Sequence, residues 1–304
     1  MKFSFLGIDI SIKKRQVKNT LSLNDINNVN NELLLYLEKL NRDEINKRIQ
    51  DVTCAIDQDV KKIRGTLSSK GIVIIPNYVP ESSIDKLSKD LKIIRDKLLT
   101  FISSGQLLKD ETNVLIQQGN LKIKNYDQLA NYNKAVATIR DGQDSGMIDI
   151  FNADKWCHSI GEILRPYFKN ELFAEVMKGK NYSPKAKNLN IYLNNGVTNT
   201  RGFHVDSYAK QLKGFIYLED CLDLDCGPYT YVKESHIDSS FVKINKKISS
   251  VLPNETETPI VLRNNIVPAL AKKGTLVISD QGGSHRGFPQ TKGFQRTVAV
   301  MNFS

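Results

Sequence analysis

From Asn188 to the C-terminus the chain breaks into short apolar or alternating runs, each closed by Asn, Gly, Asp or Pro. The runs are Leu189–Leu193, Gly202–Val205, Gly214–Leu218, Tyr229–Val232, Ile260–Leu262, Thr275–Ser279 and Thr297–Phe303. Strands this short, at this cadence and with no helical pattern between them, predict a β-sandwich or jelly-roll barrel. The chain is long for one domain, but all-β barrels with added helices reach this size as a single unit.

The upstream sequence has a different texture. From about Leu21 to Arg64, leucines at 33, 34, 35, 37 and 40, then Ile45, Ile49, Val52, Ile56, Val60 and Ile63, recur at spacings of three and four, which predicts amphipathic helix. That stretch carries no obvious chemistry, so it packs onto the main domain or onto a second copy of the chain. Gly71–Ile75 reads as a buried strand ended by Pro76, followed by a helix through Leu87, Leu91, Ile94 and Leu98 that Ser82 or Ser83 can cap. Between Asp110 and Phe168 the pattern is mixed. Arg140–Gly146 is polar and turn-rich; Gln143 and Asn152 stand where a calcium loop needs its third and twelfth ligands, so it is read as a loop near a substrate. The expected organisation is a helical extension over 1–64 and a catalytic domain over 65–304, with its barrel core at about 188–304.

Charge narrows the partners. The net charge of +10 favours an acidic partner, yet no run of five or six basic residues occurs, which argues against nucleic acid. Lys178, Lys180, Lys185 and Lys187, and then Lys243, Lys246 and Lys247, form local clusters that could flank a site for an anionic substrate. Cys54, Cys157, Cys221 and Cys226 form no CxxC pair, which suits free thiols in a reducing cytosol. The N-terminal sequence is a poor signal peptide because Asp9 interrupts its apolar stretch, and no 18-residue apolar run is present to span a membrane. A cytoplasmic protein is the expectation.

His204-Val205-Asp206 closes one of the short runs. Residues two apart on a strand share a face, so His204 and Asp206 can reach one ion together. A third protein ligand would complete a two-His-one-carboxylate triad, which leaves open positions on Fe(II) for a co-substrate and O₂. With four histidines and 33 acidic residues in 304, chance alone supplies roughly 0.4 such pairs, and a second one, His236-Ile237-Asp238, is present. Phe203 and Val205 place His204 in strand-like sequence, whereas Lys233–Ser240 is polar and loop-like, so the first pair is preferred.

For the third ligand, His285 is favoured over His158. His285 follows the run Thr275–Ser279, with glycines at 282, 283 and 287 to let the backbone bend, while His158 reads as a half-buried helical histidine. Arg296 opens the last run eleven residues after His285. Its permanently charged planar fork suits the distal carboxylate of 2-oxoglutarate. Tyr192 is a further candidate contact for that acid, and Asn190 and Gln211 are comparable ones.

These residues carry a resemblance to the phytanoyl-CoA dioxygenase family of Fe(II)/2-oxoglutarate oxygenases, within the double-stranded β-helix superfamily. Its motifs are Gly202–Asp206, Gly214–Asp220, Gly227–His236, Gly274–Asp280, His285 and Arg296, with Gly71–Tyr78 resembling the family's opening strand. The resemblance covers about 65–304 and implies a jelly-roll core with flanking helices. It also implies iron on His204, Asp206 and His285, 2-oxoglutarate on Arg296, and His236 in a turn away from the metal. Lys233 and Glu234 depart from the Pro and Gly usual in that turn, and Phe203 from the usual Trp. Related halogenases lose the carboxylate ligand, so Asp206 implies hydroxylation or another oxidation of a small organic substrate with O₂, yielding succinate and CO₂. The competing readings are a non-catalytic jelly-roll that binds a metal or ligand, and a cupin-like zinc or manganese enzyme, which would want another histidine.

Overall fold

The computed structural model describes residues 2–5, 8–11, 23–57, 59–178, 186–209, 211–252 and 256–303. Lys180 and Lys185 of the first basic cluster lie outside the described residues, as does the start of the amphipathic stretch at Leu21.

At the N-terminus, β1 (Lys2–Phe5) pairs antiparallel with β2 (Ile8–Ser11). The amphipathic stretch is three helices, α1 (Leu23–Glu38), α2 (Arg42–Gln50) and α3 (Val60–Lys70). Asn41 starts α2 with a capping box, its side chain accepting from the Glu44 amide while Glu44 reaches back to the Asn41 amide. α3 runs across the 64/65 position and stops at Gly71, whose φ of 78° is a left-handed conformation that glycine adopts freely.

Next come β3 (Ile72–Ile75), α4 (Glu81–Asp85) and α5 (Ser88–Ser103). The helix expected after Pro76 is thus two helices broken near Leu87, and Pro80 rather than a serine side chain stands at the first N-terminus. The mixed region contains β4 (Leu108–Asp110), β5 (Val114–Gln118), α6 (Tyr126–Asn131), β6 (Ala135–Ile139), β7 (Met147–Phe151), α7 (Ala153–Trp156), α8 (His158–Lys169) and α9 (Glu171–Met177). The barrel follows as β8 (Ala186–Asn195), β9 (Leu212–Tyr217), β10 (Tyr229–Val232), α10 (Ser240–Ser249), β11 (Ile266–Pro268), β12 (Leu276–Asp280), β13 (His285–Gly287) and β14 (Gln295–Phe303).

Two sheets face each other. The larger has the order β3-β12-β9-β14-β8-β7-β6-β5-β4, and the smaller β11-β10-β13, widened by an antiparallel bridge between His204 and His285. From β8 onward the chain alternates between the sheets: β8 large, the His204 segment small, β9 large, β10 and β11 small, β12 large, β13 small, β14 large. That alternation is a double-stranded β-helix, so the core is the jelly roll the cadence predicts.

Side-chain alternation explains how continuous apolar runs serve this arrangement. Ile72, Ile74, Phe215, Tyr217, Val277, Val298 and Val300 point into the barrel against Tyr229, Tyr231 and Val267 of the smaller sheet. Their neighbours Val73, Ile75, Ile216, Ile278, Ala299 and Met301 face outward and are covered by α3, α5, α8 and α9 through Leu67, Leu98, Leu164, Phe168 and Phe173. Helices therefore close one face of the larger sheet, and the other is left for a cavity between the sheets.

The run Ile260–Leu262 is not a strand; the smaller sheet uses Ile266–Pro268 instead. The four cysteines are free. Among the described residues no helix is long and apolar enough to cross a membrane.

Candidate metal centre and its cavity

The strand pair at the edge of the smaller sheet brings the distant histidines together. His204 N–H donates to His285 O at 3.0 Å and His285 N–H donates to His204 O at 2.8 Å, so the two are a hydrogen-bonded cross-strand pair. Asp206 N–H donates to Gln281 O at 3.1 Å, which holds the second member of the motif beside the turn leading into β13. The result is a cluster in which ligand atoms of His204, Asp206 and His285 lie within 4.8 Å of one another. Asp206 Oδ1 is 3.9 Å from His204 Nε2 and 3.5 Å from His285 Nε2.

Each imidazole is fixed by the backbone two residues before it. His204 Nδ1 sits 2.8 Å from Gly202 O, and His285 Nδ1 2.9 Å from Gly283 O. A carbonyl only accepts, so each ring carries its proton on Nδ1 and presents the Nε2 lone pair to the cluster, the orientation metal-bound histidines adopt. Burial and the neighbouring His285 push the His204 pKa well below its ordinary value, so the ring is neutral. On this donor chemistry the three residues fit a divalent transition ion.

Asp206 has two different sides. Its Oδ1 faces the histidines, and Oδ2 accepts from the Lys213 ammonium. Burial works against the Asp206 charge, but Lys213 and the histidines hold its carboxyl well below the usual range. The reciprocal effect lifts the Lys213 pKa above its ordinary value against the pull of burial, chiefly through Asp206. With Oδ2 engaged, Asp206 offers one oxygen to an ion. Lys213, on β9, was not anticipated; strand alternation puts it on the face of Phe215 and Tyr217, and that phase was its signal.

The cluster lies on the wall of a cavity of about 200 Å³. Arg296 and Tyr192, from neighbouring strands of the larger sheet, line it with the triad. Arg296 is 6% exposed; its Nη1 donates to Gly227 O while its Nε is buried with no hydrogen-bond partner. Burial raises the Tyr192 pKa above the ordinary phenol value, so the hydroxyl stays protonated. Asn190 instead accepts from the Asn152 amide at 3.2 Å, and Gln211 contributes its carbonyl to Gln281 N–H at 2.7 Å; neither lines the cavity. The 140–146 loop does reach it, through Arg140 and Asp144.

The cavity also contains Arg201 and Arg286, which no sequence motif singles out. Arg286 is 2% exposed, stacks 5.6 Å from the Phe203 ring centre, and has its pKa lowered to about 10 by burial.

The other histidines lie elsewhere. His236 bonds Ser68 O at 3.0 Å in the turn after β10, away from the cluster. In that turn Glu234 has φ of 66°, the left-handed region where the resembled family carries glycine; its amide donates to Lys70 O at 3.0 Å and its carboxylate pairs with Lys70 at 3.1 Å. His158 is 87% exposed and pairs with Glu162, which corrects the half-buried expectation: as the first residue of α8 it faces outward, not toward the sheet.

No protein-family profile and no curated protein matches the sequence. Among solved structures the chain is similar to SnoN, a non-heme alpha-ketoglutarate-dependent epimerase from nogalamycin biosynthesis (11% identity over 81% of this chain and 82% of that one, TM-score 0.48). It is also similar to AviO1 from Streptomyces viridochromogenes Tue57 (15% identity, 81% and 95% covered, TM-score 0.49). A third is EvdO2 from Micromonospora carbonacea var. aurantiaca complexed with 2-oxoglutarate (13% identity, 79% and 88% covered, TM-score 0.47). In its own right, the chain is a double-stranded β-helix protein with a His-Asp-His cluster between its two sheets.

Proposed function

We propose that the chain is an Fe(II)/2-oxoglutarate-dependent oxygenase, similar to the phytanoyl-CoA dioxygenase family, that hydroxylates a small organic substrate with O₂ and releases succinate and CO₂. The observation that carries this reading is the pairing, in one cavity, of a tautomer-fixed His-Asp-His cluster with Arg296, whose buried Nε lacks a partner. A cluster alone would serve a binding module equally well. A buried guanidinium nitrogen with no protein acceptor supports a carboxylate ligand, because leaving a buried charged donor unmatched is costly.

In this reading His204, Asp206 and His285 would hold the iron, which when bound supplies the oxidising chemistry. Arg296 binds the distal carboxylate of 2-oxoglutarate, and Tyr192 offers it a protonated hydroxyl. Lys213 keeps Asp206 ionised and its Oδ2 occupied. Phe215, Tyr217, Tyr229 and Val298 line the same cavity with apolar surface and limit the entry of water.

The test is anaerobic addition of 2-oxoglutarate to the Fe(II)-loaded protein. The weak visible band of a chelated 2-oxo acid is expected, followed by succinate formation when O₂ is admitted with ascorbate and a metabolite extract. Iron binding with no band and no succinate would leave the binding-module reading in its place.

A further inference from the structure

Five cations line the cavity, and their partners divide them. Arg140 pairs with Asp144 at 3.0 Å and Asp149 at 2.7 Å, Arg201 with Glu257 at 2.8 Å, and Lys213 with Asp206. Arg286 and Arg296 have no carboxylate at ion-pair distance among the described residues. Both are almost wholly buried, and each has a guanidinium nitrogen without a hydrogen-bond partner, Nη1 in Arg286 and Nε in Arg296.

2-Oxoglutarate has one distal carboxylate and can satisfy only one of these two. In the oxygenase reading its other carboxylate would be held at the His204–Asp206–His285 cluster. With the four paired carboxylates and both co-substrate carboxylates each counted once against the five cations and a divalent ion, one positive charge remains, and once Arg296 holds the co-substrate Arg286 is the buried cation with no paired carboxylate. The remaining contacts of Arg286 are to uncharged acceptors: Nη2 to Thr200 Oγ1 at 2.8 Å and Thr200 O at 3.4 Å, and Nε to Gly287 O at 3.2 Å. These fix the side chain and leave Nη1 free. The ring of Phe203 beneath the guanidinium holds its plane without neutralising it.

We infer that Arg286 is the seat for an oxyanion on the substrate to be oxidised, so that the substrate is a small carboxylate or phosphate monoester. This rests on the oxygenase reading for the role of Arg296, but the anion site at Arg286 does not need it. The N–H groups of Nη1, which no protein acceptor takes, can give either oxyanion charge-assisted hydrogen bonds. Arg286 directly follows the metal-cluster residue His285 in β13, so an anion seated there is bound to the same strand that positions the reacting centre.

The test uses inorganic phosphate and acetate as separate probes, titrated calorimetrically into the anaerobic Fe(II) protein saturated with 2-oxoglutarate. One equivalent of at least one probe should bind the wild type, at least tenfold more weakly to Arg286→Gln, with 2-oxoglutarate affinity unchanged within twofold. The stronger probe identifies phosphate or carboxylate as the natural group. Arg286→Lys, which keeps the charge on a slimmer side chain, should retain the fold and partial binding, and provides the comparison if the glutamine variant folds poorly. Absence of anion binding to the wild type overturns the inference. Equal binding by wild type and Arg286→Gln overturns it too, as does loss of 2-oxoglutarate rather than of the probe. If the wild type binds neither iron nor 2-oxoglutarate, the oxygenase reading fails; Arg286-dependent phosphate or acetate binding to that protein would still uphold the anion site, and its absence would remove both.

Discussion

Replacing Lys213 by Met asks what neutralises Asp206. The ammonium donates to Asp206 Oδ2, and the two side chains are 14% and 28% exposed. Methionine keeps the length of the side chain and removes the charge, leaving a carboxylate in a partly buried wall without its counterion. Removing one partner of a fully buried ion pair costs about 3–5 kcal/mol, and the partial exposure of Asp206 reduces this to about 2–3 kcal/mol. For a chain of this size that lowers the metal-free Tm by about 4–6 °C. A divalent ion on Oδ1 replaces the missing positive charge, so the metal-saturated variant should lie within about 1 kcal/mol of the metal-saturated wild type. By linkage, the difference must appear as tighter metal binding in the variant, about tenfold for each 1.4 kcal/mol. Calorimetric unfolding with and without saturating metal, together with a metal titration, measures every leg of the cycle. A stability deficit that is equal or larger in the metal-bound form would refute Lys213 as the counterion of Asp206.

His204→Ala, Asp206→Ala and His285→Ala should each strongly reduce Fe(II) affinity, whereas His236→Ala should retain stoichiometric iron by metal analysis; the opposite pattern would mean the wrong histidine pair has been assigned. Arg296→Lys loses the planar fork and should weaken 2-oxoglutarate binding by about 1–3 kcal/mol with iron retained, read from the anaerobic visible band. Gly283→Ala would set a Cβ 1.8 Å from Tyr231 Oη, beside the carbonyl that holds His285 Nδ1. A stability loss of about 1–3 kcal/mol with weakened metal binding is expected, and an unperturbed protein would contradict the close packing. Tyr78, Tyr192, Tyr217, Tyr229 and Tyr231 have pKa values raised by burial. In the unfolded chain they ionise near about 10, so their contribution to stability is complete below that pH and is lost as pH rises beyond it. Phenolate absorbance should show these five lagging until the protein unfolds; all eleven tyrosines titrating together in folded protein would count against it.

The barrel was legible because its strands bury both faces, which leaves apolar runs bounded by turn residues: Tyr229–Val232 coincides with β10, and the last two long runs match β12 and β14 within two residues. The strands β4 to β7 were not legible. They extend the larger sheet through runs such as Ala135–Ile139, whose small and polar members Ala137 and Thr138 blur the apolar pattern. β11 was missed because Pro268 ends it and its three residues resemble any short apolar run. At the cavity, the sequence motifs pointed to His204, Asp206, His285 and Arg296, which the fold brings together. The strand phase of Lys213 marks its face, but neither its partner nor the roles of Arg201 and Arg286 could be read, since an arginine or lysine in sequence carries no sign of whether a carboxylate faces it in the fold. Only three-dimensional pairing separates the cations that are neutralised from those that are not.

The double backbone exchange between His204 and His285 would tie the fate of a bound ion to one rung of the smaller sheet and the Asp206–Gln281 bond beside it. β13 is three residues long, and beyond it the His204 segment is held by isolated bridges rather than a continuous ladder. Opening that rung would pull His204 and His285 away from each other, so ion release and local strand fraying become one event with one free energy. An ion bound across the strands then acts as a rivet: the amide protons of His204 and His285 should exchange with solvent at a rate that falls in proportion to metal occupancy, while amides deep in β14 remain indifferent to it.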